Sequence, residues 1–209
     1  SIVLIDSDFA NLPRVVAEGR RVINNVTEVA SLFLMKTIFA ILLTLSTKYP
    51  FEPSNLMVIE IFCSGLAAFA LALQPNNRKI KGGFLRNVLS KAVPGGITYA
   101  LGVLAIVLFL EGRFTHIDDL TIYKQTVGGL YLSTLGILTL FFHCLPLNKF
   151  RTAIFSLMTV ATLAVCFTSI GEFFAHFYIK QLEPKAWLLY GIVTICGVIL
   201  FLGSKFLFD

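Results

Sequence analysis

Charge is what this chain has least of. Asp, Glu, Lys and Arg make up only 14% of its 209 residues, while 56% are hydrophobic and the mean hydropathy is +0.83. Soluble domains carry about 25% charged residues, so a water-soluble globular domain is excluded. Cysteine is also sparse. The four, Cys63, Cys144, Cys166 and Cys196, all fall in apolar stretches, with no Cys-x-x-Cys spacing and no histidine cluster nearby. That excludes a disulfide scaffold or zinc module and leaves reduced thiols that serve as small packing residues. Cys63 alone stays open as a ligand because it stands three residues from Glu60, on the same face of an α-helix. One Cys and one Glu make a thin soft-metal site. The first ten residues lack a basic segment, an apolar core and a cleavage site, so they are no signal peptide. The chain is therefore expected to begin inside a longer protein.

What is present is apolar length. Six stretches, roughly 29–47, 55–73, 92–110, 126–145, 152–171 and 186–207, approach or exceed the ~18–20 residues that cross ~30 Å of hydrocarbon. The basic residues divide unevenly between the loops. Eleven (Arg14, Arg20, Arg21, Arg78, Lys79, Lys81, Arg86, Lys91, Lys149, Arg151, Lys205) fall on one side and five (Lys48, Arg113, Lys124, Lys180, Lys185) on the other. The richer side is expected to be cytoplasmic, with both termini on it. The formal charge of +5 is thus topological and gives no reason to expect a nucleic-acid partner.

Against this background two ionisable side chains stand out. Lys36 lies eight residues into the run Val29–Leu45, and Glu60 is the single carboxylate of the run Leu56–Leu73. A charge near the bilayer centre costs a few kcal/mol or more unless it is paired or faces water, and it usually marks an ion or proton pathway. The connection Thr47–Pro53 is short, so the two helices should be antiparallel neighbours. Pairing in a low dielectric keeps both groups ionised, and separation favours the neutral form of each. A transport site and a static salt bridge that merely pins two helices are both open. Tyr131, Ser133, Thr134, Thr159, Thr162, Thr168 and Ser169 could line a pathway, but such hydroxyls more often bond backbone carbonyls or a neighbouring helix. Gly95, Gly96 and Gly102 suggest close helix packing. His143 and Glu172 suggest solvated positions near membrane boundaries, and Trp187 and Tyr190 suggest interfacial anchors.

The segment ahead of the first span is the most specific. Ile2–Ile5 is a short β-branched run ended by Asp6-Ser7-Asp8, as in a buried strand entering a turn. Asn11 can cap a helix that starts near Leu12-Pro13. From there to about Leu45 only Gly19 interrupts the helix-forming sequence. More than thirty helical residues make ~50 Å at 1.5 Å per residue, so this helix must leave the bilayer as a stalk, polar on one side and apolar on the other.

Leu4-Ile5-Asp6-Ser7-Asp8-Phe9, followed by Glu18-Gly19-Arg20-Arg21 and Asn24-Asn25, resembles the junction between the phosphorylation domain and the fifth transmembrane helix of P-type cation-transporting ATPases. Gly65-Leu66 and Ala72-Leu73-Gln74-Pro75-Asn76 resemble the sixth helix of that family and its exit. The similarity is nearest to bacterial pumps of the calcium-pump-like branch. It covers the whole chain in layout, with specific motifs over about residues 1–91. Nothing resembles the family's phosphorylated Asp-Lys-Thr-Gly-Thr loop or its magnesium-binding Gly-Asp-Gly-Val-Asn-Asp loop. The resemblance therefore implies the C-terminal transport half of a pump whose catalytic core, with ATP and Mg²⁺, lies outside these residues.

Carried over residue by residue, Lys36 and Thr37 fall where calcium and sodium pumps place a small polar residue and an asparagine, and Ala40 where they place a glutamate. Glu60 falls at their asparagine, Cys63 at their threonine and Ser64 at their key aspartate, while Ala67 replaces a proline. The six-to-eight-oxygen calcium cage is therefore largely gone. A lysine at the matching position appears in proton-exchanging and lipid-flipping members.

The expectation is an all-α membrane protein, a six-helix bundle with a long cytoplasmic stalk. Residues 1–10 would be a remnant of the phosphorylation domain, 11–28 the stalk and 29–209 the transport domain. It would be the transport segment of an ATP-driven cation pump in the plasma membrane. Its ion pathway would be lined by Lys36, Thr37, Glu60, Cys63 and Ser64, with no catalytic residue and no cofactor of its own. The partners would be the lipid bilayer, the transported cation, and the N-terminal catalytic domains and first four transmembrane helices of the whole pump. The rivals are a lipid or polyamine translocator on the same scaffold, favoured by an open groove, and a stand-alone secondary transporter or channel, for which no internal repeat speaks.

Overall fold

The computed structural model describes residues 12–47, 49–73, 82–113 and 120–208. The expected strand Ile2–Ile5 and the basic run Arg78–Lys81 lie outside them. Among the described residues the architecture is helical without strands, and six helices are long and apolar enough to cross a membrane. The first, α1, runs unbroken over Leu12–Ser46, Gly19 included. The second span is composite: α2 (Pro53–Val58), a π-helical segment (Ile59–Gly65) and α3 (Leu66–Ala72). Then follow α4 (Phe84–Arg113), α5 (Leu120–His143), α6 (Lys149–Phe167), the short α7 (Ser169–Phe174) and α8 (Pro184–Phe208).

α1 lies along α4, and small residues set how closely. Met35 packs onto Gly95 and Ile38 onto Gly96, so a Cβ on either glycine would stand within 3 Å of its neighbour. Deeper in the bundle Tyr131 of α5 fills the notch at Gly102 and reaches Gly197 of α8, and its hydroxyl donates to the Thr98 carbonyl at 2.9 Å. Close approach through small residues is the usual means of helix association where lipid supplies no hydrophobic drive. Tyr131 is thus a fully buried packing residue. Thr134, Thr162 and Thr168 bond back to Leu130, Met158 and Ala164, as expected for hydroxyls in apolar helices.

Outward faces are apolar. Leu188, Ile192, Ile195 and Ile199 are exposed on α8 at helical spacing, and Leu157, Val160 and Leu163 on α6. In water this would be a large liability, whereas against hydrocarbon it is the required surface. The fifth span ends at Phe167, short of the expected 171, because Thr168 caps α7 by accepting from the Ile170 amide. Tyr190 is not a free interfacial anchor: its hydroxyl lies 2.7 Å from that of Thr134 on α5, and its ring stacks edge-on with Trp187.

Two buried amides hold the connection between α1 and the second span and so position the latter. Asn55 donates to the Ala175 carbonyl at 2.9 Å and accepts from the Glu52 amide at 2.7 Å. Gln125 donates to the Pro50 carbonyl at 3.0 Å.

Candidate ion-pathway site

Lys36 and Glu60 meet. The Lys36 ammonium stands 3.2 Å from Glu60 Oε1 and 4.9 Å from the centre of the Phe33 ring. The lysine side chain is 22% exposed and the glutamate 55%. The pair therefore lies on the flank of the bundle formed by α1 and the second span, not in its core. Phe33, Ile41 and Leu45 of α1 and Ile61, Leu66 and Phe69 of the second span are also exposed.

The backbone under Glu60 is unusual. Seven residues, Ile59–Gly65, form π-helix, a geometry that is rare, mostly confined to single turns and frequent at functional sites. Gly65 permits it: a Cβ there would stand 2.7 Å from the carbonyl oxygen of Glu60, five residues back. The π turn also redistributes side chains. Bonds from i to i+5 take more than 3.6 residues per turn, so residues three apart no longer stack. Glu60 faces outward while Cys63 is 2% exposed, packed on Gly136 with its sulfur 3.7 Å from the Thr162 hydroxyl. The same-face placement of Cys63 and Glu60 expected from α-helical spacing is corrected by this segment, and with it goes the geometry of a joint metal site. Ser64 is likewise buried, and Thr37 is exposed with its hydroxyl donating to the Phe33 carbonyl at 3.1 Å. Of the five residues singled out, two come together and three point elsewhere.

A second polar cluster had no counterpart in the sequence reading. Glu28 on α1 places Oε1 2.5 Å from the Lys91 ammonium on α4 and Oε2 2.6 Å from Nδ1 of His143 at the end of α5. His143, expected at a solvated boundary, has a side chain only 7% exposed. The sequence signal was slight, a glutamate one residue ahead of the first apolar run. Its partners lie 63 and 115 residues away and cannot be paired by spacing.

The chain is 41% identical over 130 residues, 54% of its length, to the calcium-transporting ATPase CtpE of Mycolicibacterium smegmatis, of which it spans 16%. It is 27% identical over 216 residues, 97% of its length, to the probable cation-transporting ATPase exp7 of Streptococcus pneumoniae, of which it spans 27%. To a calcium-transporting ATPase of Bacillus subtilis it is 27% identical over 142 residues, 61% of its length and 16% of that protein. No protein-family model matches the chain, and no solved structure matches it. The chain thus spans well under a third of these relatives.

Relatives named as calcium- or cation-transporting ATPases cover from about half to nearly all of the chain, in agreement with the C-terminal transmembrane part of a P-type ATPase. With six apolar helices, this fits the transport segment of a cation pump, and the rival readings are not favoured. It is a multi-pass membrane protein.

Proposed function

We propose that this chain forms the ion pathway of an ATP-driven cation pump and that Lys36 and Glu60 are its central groups. The observation that carries the reading is an ion pair on a π-helical turn within two apolar spans. A pair exposed to this degree cannot be left against lipid cheaply. The flank that carries it is therefore expected to be covered by protein or water, and the covering elements would be the first four transmembrane helices of the whole pump. Relatives several times longer than this chain support that assignment.

In the cycle we infer, phosphorylation of N-terminal catalytic domains, using ATP and Mg²⁺, moves the projecting part of α1. That motion repacks α1 against the second span. With Lys36 against Glu60 the carboxylate is neutralised internally. With the two apart, Glu60 needs a cation or a proton, so alternation between the packings binds and releases one. Thr37, next to Lys36 in sequence, is exposed and could join the pathway only from another face of α1, while Cys63 and Ser64 would act by shaping the π turn. Relatives named for calcium suggest that ion. Glu60 supplies one hard ligand, so a calcium site would need further oxygens from backbone carbonyls or from helices outside this chain. The protein would lie in the plasma membrane with both termini cytoplasmic, and these 209 residues alone would hydrolyse no ATP.

The test is cation-stimulated ATP hydrolysis by the full-length protein. Glu60→Gln should abolish or greatly weaken the stimulation, and wild-type stimulation in that variant would reject the reading. The isolated 209-residue chain, given ATP, should form no acid-stable phosphoenzyme.

A further inference from the structure

The N-terminal part of α1 stands clear of the bundle: from Leu12 to Val26 no residue is buried. The first buried residue is Thr27, and Ser31, Leu32, Met35, Phe39 and Leu43 follow. The projecting part thus enters the bundle at a single turn, and polar tethers converge there. Asn25 donates to the Ala72 carbonyl, at the end of α3, at 2.8 Å. Glu28 divides its two oxygens between Lys91 of α4 and His143 of α5. Small cavities of about 40 and 10 Å³ flank Glu28, the first lined in part by Ser90, Lys91 and Thr139, the second by Asn25 and Arg151.

We propose that Glu28 is a positioning residue, the pivot on which α1 turns. By fastening α1 to α4 and α5 where the helix leaves the bundle, it makes a displacement of the projecting part tilt the membrane part instead of dissipating in local bending or sliding. Lys36 lies eight residues further on, about 12 Å along the axis, so a tilt about Glu28 reaches the Lys36–Glu60 contact directly. A pivot must resist translation in more than one direction. One carboxylate held by side chains from two different helices does so, where a single contact would act as a hinge.

This inference rests on the transport reading above, and its test separates the two. In sealed vesicles containing the full-length protein, ATP hydrolysis and uptake of calcium or protons are measured together. Glu28→Gln should leave ATP-dependent phosphorylation in place while the ions moved per ATP fall by about threefold to tenfold. Glu28→Asp should recover most of the ratio. A merely structural role predicts that hydrolysis and uptake decline in proportion, and an unchanged ratio in Glu28→Gln overturns the proposal. Should Glu28→Gln fail to accumulate in the membrane, Lys91→Met and His143→Gln each leave Glu28 one partner, and an unchanged ratio in both overturns it equally. Wild-type vesicles that take up neither calcium nor protons would reject the transport reading itself, and the pivot with it.

Discussion

Gly65 and Glu60 are bound into one feature: the hydrogen of Gly65 occupies the place where any other side chain would meet the Glu60 carbonyl at 2.7 Å. Glycine at this position and the wide turn beneath the acidic residue cannot be separated. The consequence reaches the side chains, because the same turn sends Glu60 outward to Lys36 and Cys63 inward to Gly136 and Thr162.

Replacing Gly65 by alanine should therefore act on the site and not only on stability. The added Cβ meets backbone, which cannot swing aside, so the segment must relax toward α-helical spacing or strain by about 1–3 kcal/mol. Either response rotates Glu60 relative to Lys36. The apparent affinity of the full-length protein for its stimulating cation should weaken by about tenfold or more, since ~1.4 kcal/mol is a factor of ten. Wild-type cation affinity in Gly65→Ala, at normal membrane abundance, would show that the π turn does not serve the site.

How much of this was legible in the sequence depends on the range over which each feature is determined. α1 was readable from Leu12 to its end because helix continuity is local and only Gly19 interrupts the helix-forming residues after Pro13. Lys36 and Glu60 were readable because a charge in an apolar run announces itself, and the short connection between their helices made them neighbours. The π segment was not, since Ile59–Gly65 has the composition of any apolar helix and only the contact between Gly65 and Glu60 distinguishes it. Cys63 was accordingly placed with Glu60 by a periodicity that does not apply there, and Ser64 joined them only through the family resemblance. Lys91 and His143 were each read alone, as a topological charge and a boundary residue, and Glu28 carried no reading of its own. Their grouping is a tertiary fact that joins three helices.

The notch at Gly102 offers a stability test away from the site. A Cβ there would run into the Tyr131 ring and hydroxyl, well inside contact distance. Gly102→Ala should destabilise the bundle by about 1–3 kcal/mol through overpacking. Tyr131→Phe loses the hydrogen bond to the Thr98 carbonyl and should cost about 1 kcal/mol. Combining Gly102→Ala with Tyr131→Leu should recover part of the loss, because the smaller side chain vacates the notch. Thermal unfolding in detergent would check the series; equal losses in the single Gly102→Ala variant and the double variant would mean that the contact is not what limits substitution.

Orientation is open to direct measurement. The uneven division of basic residues predicts that tags at Ser1 and Asp209 are both protected from protease added outside sealed cells and are cleaved once the membrane is opened. Cleavage of either tag in sealed cells would overturn the six-span topology with both ends cytoplasmic, and cleavage at Ser1 would also remove the proposed connection to ATP-driven domains.

The sharpest discrimination concerns Lys36 and Glu60, because a pathway and a structural bridge respond differently to losing one partner. Lys36→Ala leaves a carboxylate without its cation in apolar surroundings. That carboxylate must take up a proton or recruit another cation. Transport by the full-length protein should then persist but depend more steeply on external pH or on an added monovalent cation. Glu60→Gln removes the only carboxylate from the first two apolar runs and should stop transport without such rescue. A structural bridge predicts instead that both single variants lose abundance and stability, since breaking a pair costs more than deleting it. It also predicts that Lys36→Met combined with Glu60→Gln restores both abundance and transport. Turnover measured against pH for the two single variants and the double one separates these cases. Full recovery of transport in the double variant would remove the pair from the ion pathway and leave it as a fastening between α1 and the second span.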